Sequence, residues 1–175
     1  PPVTDRTEHE TQHVLPGLLH RMGREMLVEQ APTRRPVEFE GGRSEQVVVY
    51  LPPDYAQSTQ RYPVLYLLHG FPGDPAGFVR TVRVGVVEDT LLAKKQMKPM
   101  IIVMPMGSTG ILTDKEWANG IHKGENWETF FARDVVNAVD RQFRTIPTGA
   151  ARAVGGLSEG GYASFNIGLH RPAEF

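Results

Sequence analysis

The sequence has 175 residues, 40% of them hydrophobic and 22% charged, the balance of a globular domain with a sizeable core. A formal net charge of -1 with scattered basic residues argues against a nucleic-acid partner, and Arg34-Arg35 and Lys94-Lys95 read as solvated surface. No cysteine is present, which excludes disulfides, thiolate metal sites and a cysteine nucleophile, and no apolar run approaches the roughly 18–20 residues that span a bilayer.

Residues 1–35 are polar and read as a segment and linker ahead of the folded part, 36–175. Val14, Leu15, Leu18, Leu19, Met22 and Met26 recur at helical spacing, but Pro16-Gly17 interrupts them. His9 and His13 are four apart and can share a helix face. No third ligand follows at a metal-binding spacing, so no metal is expected. The chain starts at Pro1-Pro2 and not at Met, so the expectation is that its original start has been removed.

Alternation of strands and helices begins after Pro36. Val47 to Leu51 is a β-branched run closed by Pro52-Pro53, the second run is Val64 to Leu68, and Met100 to Met104 is a third. Such runs, apolar on both faces, suit a central sheet covered on both sides. A helix is predicted around residues 83–97. Residues 105–126 form a long glycine-containing loop, a length often tied to function. A helix follows, with Asn126 as its cap, Glu128 in the first turn, and Phe131, Val135, Ala138 and Val139 along one face. Arg152 to Gly155 is a short strand. Residues 159–170 form the last helix, stopped by Pro172. The pattern predicts a mainly parallel α/β sheet with helices on both faces.

The chemistry centres on Gly156-Leu157-Ser158-Glu159-Gly160, a G-x-S-x-G pattern between a strand and a helix. A sharp turn there lifts a serine Oγ above the sheet as a nucleophile, and glycines leave room where a Cβ would meet backbone. Attack on an ester also needs donors for the tetrahedral oxyanion. The backbone N–H of Glu159 stands at the helix start. The second donor is expected from Gly70-Phe71-Pro72, where Phe71 has an N–H and Pro72 has none. His69 precedes them and is read as a hydrogen-bonding residue that fixes this loop.

Three segments together carry a resemblance: Val49-Tyr50-Leu51-Pro52-Pro53-Asp54-Tyr55, Tyr62 through Gly70, and Gly155 through Tyr162. They resemble, in the same order, the esterase family that includes feruloyl and acetyl-xylan esterases, S-formylglutathione hydrolases and the mycolyltransferases of actinobacteria. Trp127-Glu128-Thr129-Phe130 also looks like a mycolyltransferase segment. The resemblance covers about residues 45–175. It implies an α/β-hydrolase fold, Ser158 as nucleophile, the N–H groups of Phe71 and Glu159 as oxyanion hole, and no cofactor. Glu159 departs from the Met or Gln often found there. The expected reaction is hydrolysis of a small-molecule or carbohydrate ester through an acyl-enzyme on Ser158. Acyl transfer to an alcohol and a non-catalytic hydrolase-like binding module are the alternatives. Secretion or a place in the cell envelope is the expectation for localisation.

The family's triad places an Asp or Glu and then a His after the nucleophile. Here only His170 and Glu174 follow Ser158 as candidates. His170 is twelve residues on in the same helix, about 18 Å away at 1.5 Å per residue, and cannot reach it. The triad acid and base are therefore expected outside this chain, as in a fragment cut after the nucleophile helix and inactive alone. Trp117, Asn119 and His122, in the long loop, are expected to border the acyl or alcohol pocket.

Overall fold

The sheet grows outward from two runs whose side chains are covered from both sides. In the computed structural model, which describes residues 33–38, 44–108, 111–113, 117–120 and 126–175, strand β3 is Val64–Leu68 and β4 is Ile101–Pro105. Val64, Tyr66 and Leu68 are buried on one face of β3, while Leu65 and Leu67 lean on the other. Every residue of β4 is buried. β5, Arg152–Gly156, runs parallel to β3, with Val64 opposite Arg152 and Leu68 opposite Gly156. β3 and β4 are also parallel. β2, Ser44–Tyr50, lies antiparallel to β4 on the other side, and β1, Thr33–Glu38, antiparallel to β2. The order is β1-β2-β4-β3-β5.

Two features depart from the sequence reading. The sheet is mixed, with a parallel unit β4-β3-β5 extended by two antiparallel strands. Also, β1 starts at Thr33, inside the segment read as linker, and contains Pro36. Proline lacks a ladder donor, but among the described strands β1 pairs with β2 alone, and an edge strand tolerates that loss.

One face of the sheet is covered by a helical run, α2, made of Trp127–Thr129, a π-helical stretch Phe130–Val135, and Val136–Gln142. Phe131, Val135, Ala138 and Val139 pack from it onto Val49, Tyr66 and Val103. Each fully covered side chain of this size contributes about 1.5–3 kcal/mol. The last helix, α3, Glu159–His170, lies on the same face through Gly160, Ala163 and Ile167 and leaves Tyr162, Phe165 and Leu169 exposed. The opposite face carries α1, Val84–Ala93, and the turn before it: Val84, Ala76 and Phe78 cover Val48, Tyr50, Ile102 and Met104. Helices thus flank both faces, as predicted.

Polar ties fix the helix ends. Asn126 makes no capping bond at the start of α2. Asn119 does so from the preceding loop: its Oδ1 accepts the Thr129 N–H at 3.1 Å and its Nδ2 donates to Thr129 Oγ1 at 2.9 Å. Glu128 is nearly buried and receives Arg171 Nε at 2.7 Å and His170 Nδ1 at 3.5 Å, joining α2 to the end of α3. On α1, Glu88 is 2% exposed. Its Oε1 accepts the Met100 N–H at 3.3 Å, and its buried Oε2 bonds to no described residue. Burial pushes its pKa up to about 8; the Met100 bond opposes the rise and Asp89 adds to it. Asp89 itself accepts the Tyr50 hydroxyl.

Candidate active site

The three parallel strands all end on the same edge of the sheet, at Leu68, Pro105 and Gly156, and loops at such an edge hold ligands in open α/β sheets. Ser158 lies between β5 and α3 with φ 55° and ψ -121°, a conformation that L-residues adopt only under constraint. The constraint is visible. Leu157 N–H donates to Leu68 O at 3.2 Å, Gly160 N–H to Leu157 O at 3.0 Å, and Tyr162 N–H to Ser158 O at 3.0 Å. A Cβ on Gly160 would lie 1.9 Å from Leu68 O, and one on Gly156 would lie 2.4 Å from Gly160 C. Only glycine lets the start of α3 rest directly on the end of β3.

The loop after β3 faces this turn. A Cβ on Gly70 would be 2.9 Å from Leu157 O and 3.0 Å from Ser158 Cβ, so Gly70 brings the loop against the serine. Phe71 follows, and its N–H bonds to no described residue. Ser158, Leu157, Gly70 and Phe71 border a cavity of about 310 Å³ whose lining also includes Phe78 and Arg80. No described residue hydrogen-bonds to Ser158 Oγ.

His69 is committed elsewhere. Its Nδ1–H donates to Gly70 O at 3.0 Å, and its Nε2 accepts the Gly107 N–H at 3.2 Å, which fixes a neutral tautomer. Burial lowers its pKa, against smaller opposing effects of the Gly70 carbonyl and Asp74. With both nitrogens occupied, His69 ties the loop after β3 to the loop after β4. His170 and Glu174 are also engaged away from Ser158, with Glu128 and Arg152 respectively.

Two of the three long-loop residues expected at the pocket, Trp117 and Asn119, bond elsewhere. Trp117 is 1% exposed and belongs to the core. Its indole N–H donates to His69 O at 3.1 Å, its ring meets His69 edge-on, and a Cβ on Gly107 would lie 2.4 Å from it. It supports the site from beneath and lines no part of the cavity. Asn119 has both ends of its amide engaged with Thr129, so it holds α2 and does not face a ligand. His122 lies outside the described residues.

The sequence reading missed Asp74 and Arg80, which also line the cavity. Arg80 Nη2 donates to both Asp74 oxygens, at 2.9 and 3.1 Å. Burial alone would raise the Asp74 pKa, but Arg80 and the N–H groups of Ala76 and Gly77 hold it below the ordinary value. The signal in the sequence was Asp74-Pro75-Ala76-Gly77, a turn-capping pattern whose aspartate fixes the loop before Arg80. Among the described residues no cluster of His, Asp or Glu can hold a metal, and no helix is long and apolar enough to cross a membrane.

A sheet of this order, helices on both faces and a serine on a strained strand-to-helix turn define an α/β-hydrolase. The sequence profile of the family described as "Putative esterase" matches residues 40–175, and the chain belongs to that family. It is 33% identical over 138 residues to an endo-1,4-beta-xylanase/feruloyl esterase of Xylanibacter ruminicola, a match covering 77% of this chain and 19% of that protein. It is 35% identical over 123 residues to Esterase Rv1288 of Mycobacterium tuberculosis, covering 70% of this chain and 25% of that one. Among solved structures it superposes on a ferulic acid esterase with a TM-score of 0.71 at 27% identity, covering 82% of this chain and 55% of the other. The chain therefore spans a quarter or less of these two curated relatives and about half of the solved enzyme.

Proposed function

We propose that the protein carrying this chain hydrolyses carboxylic esters, with Ser158 as nucleophile. The observation that carries this reading is Ser158 at φ 55° on the strand-to-helix turn, packed against Gly70 and open to the cavity. The names of the relatives, feruloyl and ferulic acid esterases, support ester substrates. In the proposed reaction Ser158 Oγ forms a bond to the ester carbonyl carbon as its proton passes to a base. The N–H groups of Phe71 and Glu159 receive the developing oxyanion, and collapse expels the alcohol, which takes up a proton. Water then attacks the acyl-enzyme, releasing the acid and restoring the serine. His69 uses both nitrogens to hold the loop, so the base is assigned outside the described residues.

Ser158→Ala in the whole protein should abolish fluorophosphonate labelling and lower kcat on p-nitrophenyl acetate by about three or more orders of magnitude. Normal turnover by that variant would overturn the assignment. Product analysis with an added alcohol reads the competing chemistry: a transesterified product exceeding the free acid would mark acyl transfer as the main reaction.

A further inference from the structure

The cavity that Ser158 borders is also lined by a pair, Asp74 and Arg80, for which the proposed chemistry has no use. Asp74 is held by the N–H groups of Ala76 and Gly77 and in turn holds Arg80 through Nη2 alone. The Arg80 side chain remains 57% exposed. Its Nε and Nη1 bond to no described residue, so their three N–H donors stay open on a guanidinium tethered to Asp74. An exposed Phe71 ring and Phe78 border the same cavity.

We propose that Arg80 determines specificity by donating to an uncharged oxygen of the ester substrate, a hydroxyl or alkoxyl group beyond the scissile bond. The inference rests on the reading of Ser158 as the ester-cleaving nucleophile. Two features select this chemistry. Asp74 balances the charge of Arg80, which removes the pull a free guanidinium would exert on an anion. The N–H groups left on Nε and Nη1 can then serve a neutral acceptor such as a hydroxyl or ether oxygen. The aromatic rings alongside suit a flat or ring-shaped group. Such an oxygen can come from an aromatic acyl group or from a hydroxylated alcohol. A site built to donate to it should discriminate against the analogue that lacks it.

The test compares wild-type whole protein with Arg80→Gln and Arg80→Lys on two matched pairs. Methyl 4-hydroxy-3-methoxycinnamate against methyl cinnamate reads the acyl side. A mono-acetylated pentose against cyclohexyl acetate reads the alcohol side. In one pair, Arg80→Gln should reduce the preference for the oxygenated ester, as a kcat/KM ratio, by about ten- to a hundredfold, mainly through KM. Arg80→Lys, which keeps a cationic donor at nearly the reach of the arginine, should restore part of it. The affected pair names the source of the oxygen. Ratios unchanged within about twofold in both pairs would overturn the proposal. Binding of the same four esters to Ser158→Ala protein, with and without Arg80→Gln, gives the contact a readout that needs no turnover. A preference for the oxygenated ester that vanishes with Arg80→Gln supports the proposal even if Ser158→Ala leaves hydrolysis intact and the nucleophile assignment fails. Equal binding of both members of each pair overturns it.

Discussion

Glu88 offers a sharp test of the fold's electrostatics. Its carboxyl is buried in α1 with one oxygen bonded to the Met100 N–H and the other bonded to no described residue, so the neutral form is favoured in the folded state. The pKa rises from 4.5 in the open chain to about 8. Below pH 4.5 both states hold the proton and Glu88 has no pH effect. Between there and pH 8 the unfolded chain releases the proton and the folded chain keeps it, so stability falls as pH rises. Integrated from pH 5 to 8.5, such a rise is worth up to about 4 kcal/mol, and relaxation around the charge would lower that to about 2–4 kcal/mol. Glu88→Gln keeps the acceptor for Met100 and cannot ionise. Urea unfolding of wild type and variant at both pH values isolates the residue, because the other titrating groups cancel in the difference. The variant should gain about 2–4 kcal/mol relative to wild type on going from pH 5 to pH 8.5. A difference constant within about 0.5 kcal/mol would refute the reasoning, since Glu88 would then ionise in the folded state as easily as in water.

Trp117→Ala should lower stability by about 3–5 kcal/mol, read as a large fall in melting temperature, because the indole fills the space between Gly107, His69 and Phe131. Gly160→Ala should cost about 3 kcal/mol or more, or prevent soluble expression, since its methyl group would enter the Leu68 carbonyl. Asn119→Ala should cost about 1 kcal/mol in chemical denaturation through loss of the Thr129 cap.

Strands and helices with strong local signals were legible. The runs at Val64 and Ile101 are dense in β-branched and aliphatic residues and end at Gly70 or within Pro105, and α3 has the bounds its spacing predicts. β1 was not, because Thr33–Glu38 has neither apolar alternation nor freedom from proline; its pairing with β2 makes it a strand. The close approaches around Gly156 and Gly160 were readable from the motif, since only backbone contact explains paired glycines there. The long loop misled for a physical reason. A tryptophan amid glycines and polar residues looks exposed, and nothing local shows that Gly107 opens a slot for its ring. Asn126 likewise stands where a cap belongs, yet Asn119, seven residues earlier in the sequence, takes the bond because an antiparallel bridge sets the two asparagines side by side. Arg80 was hidden because its place at the cavity depends on Asp74 and on a wall assembled from another strand's loop.

The contact of Gly160 with the end of β3 has a bearing on how such a protein diversifies. Ser158 is located by main chain resting on main chain, Leu68 against Gly160 and Gly70 against Leu157, with no side chain interposed. The walls of the cavity, by contrast, are side chains: Phe71, Phe78, Arg80, Val82 and Leu157. Placement of Ser158 and the lining of the cavity beside it are thus encoded at separate positions. Mutation can redraw the walls one residue at a time while the serine stays where the glycines put it; on the ester-cleaving function proposed above, such a scaffold can take new ester preferences without a detour through an inactive ancestor.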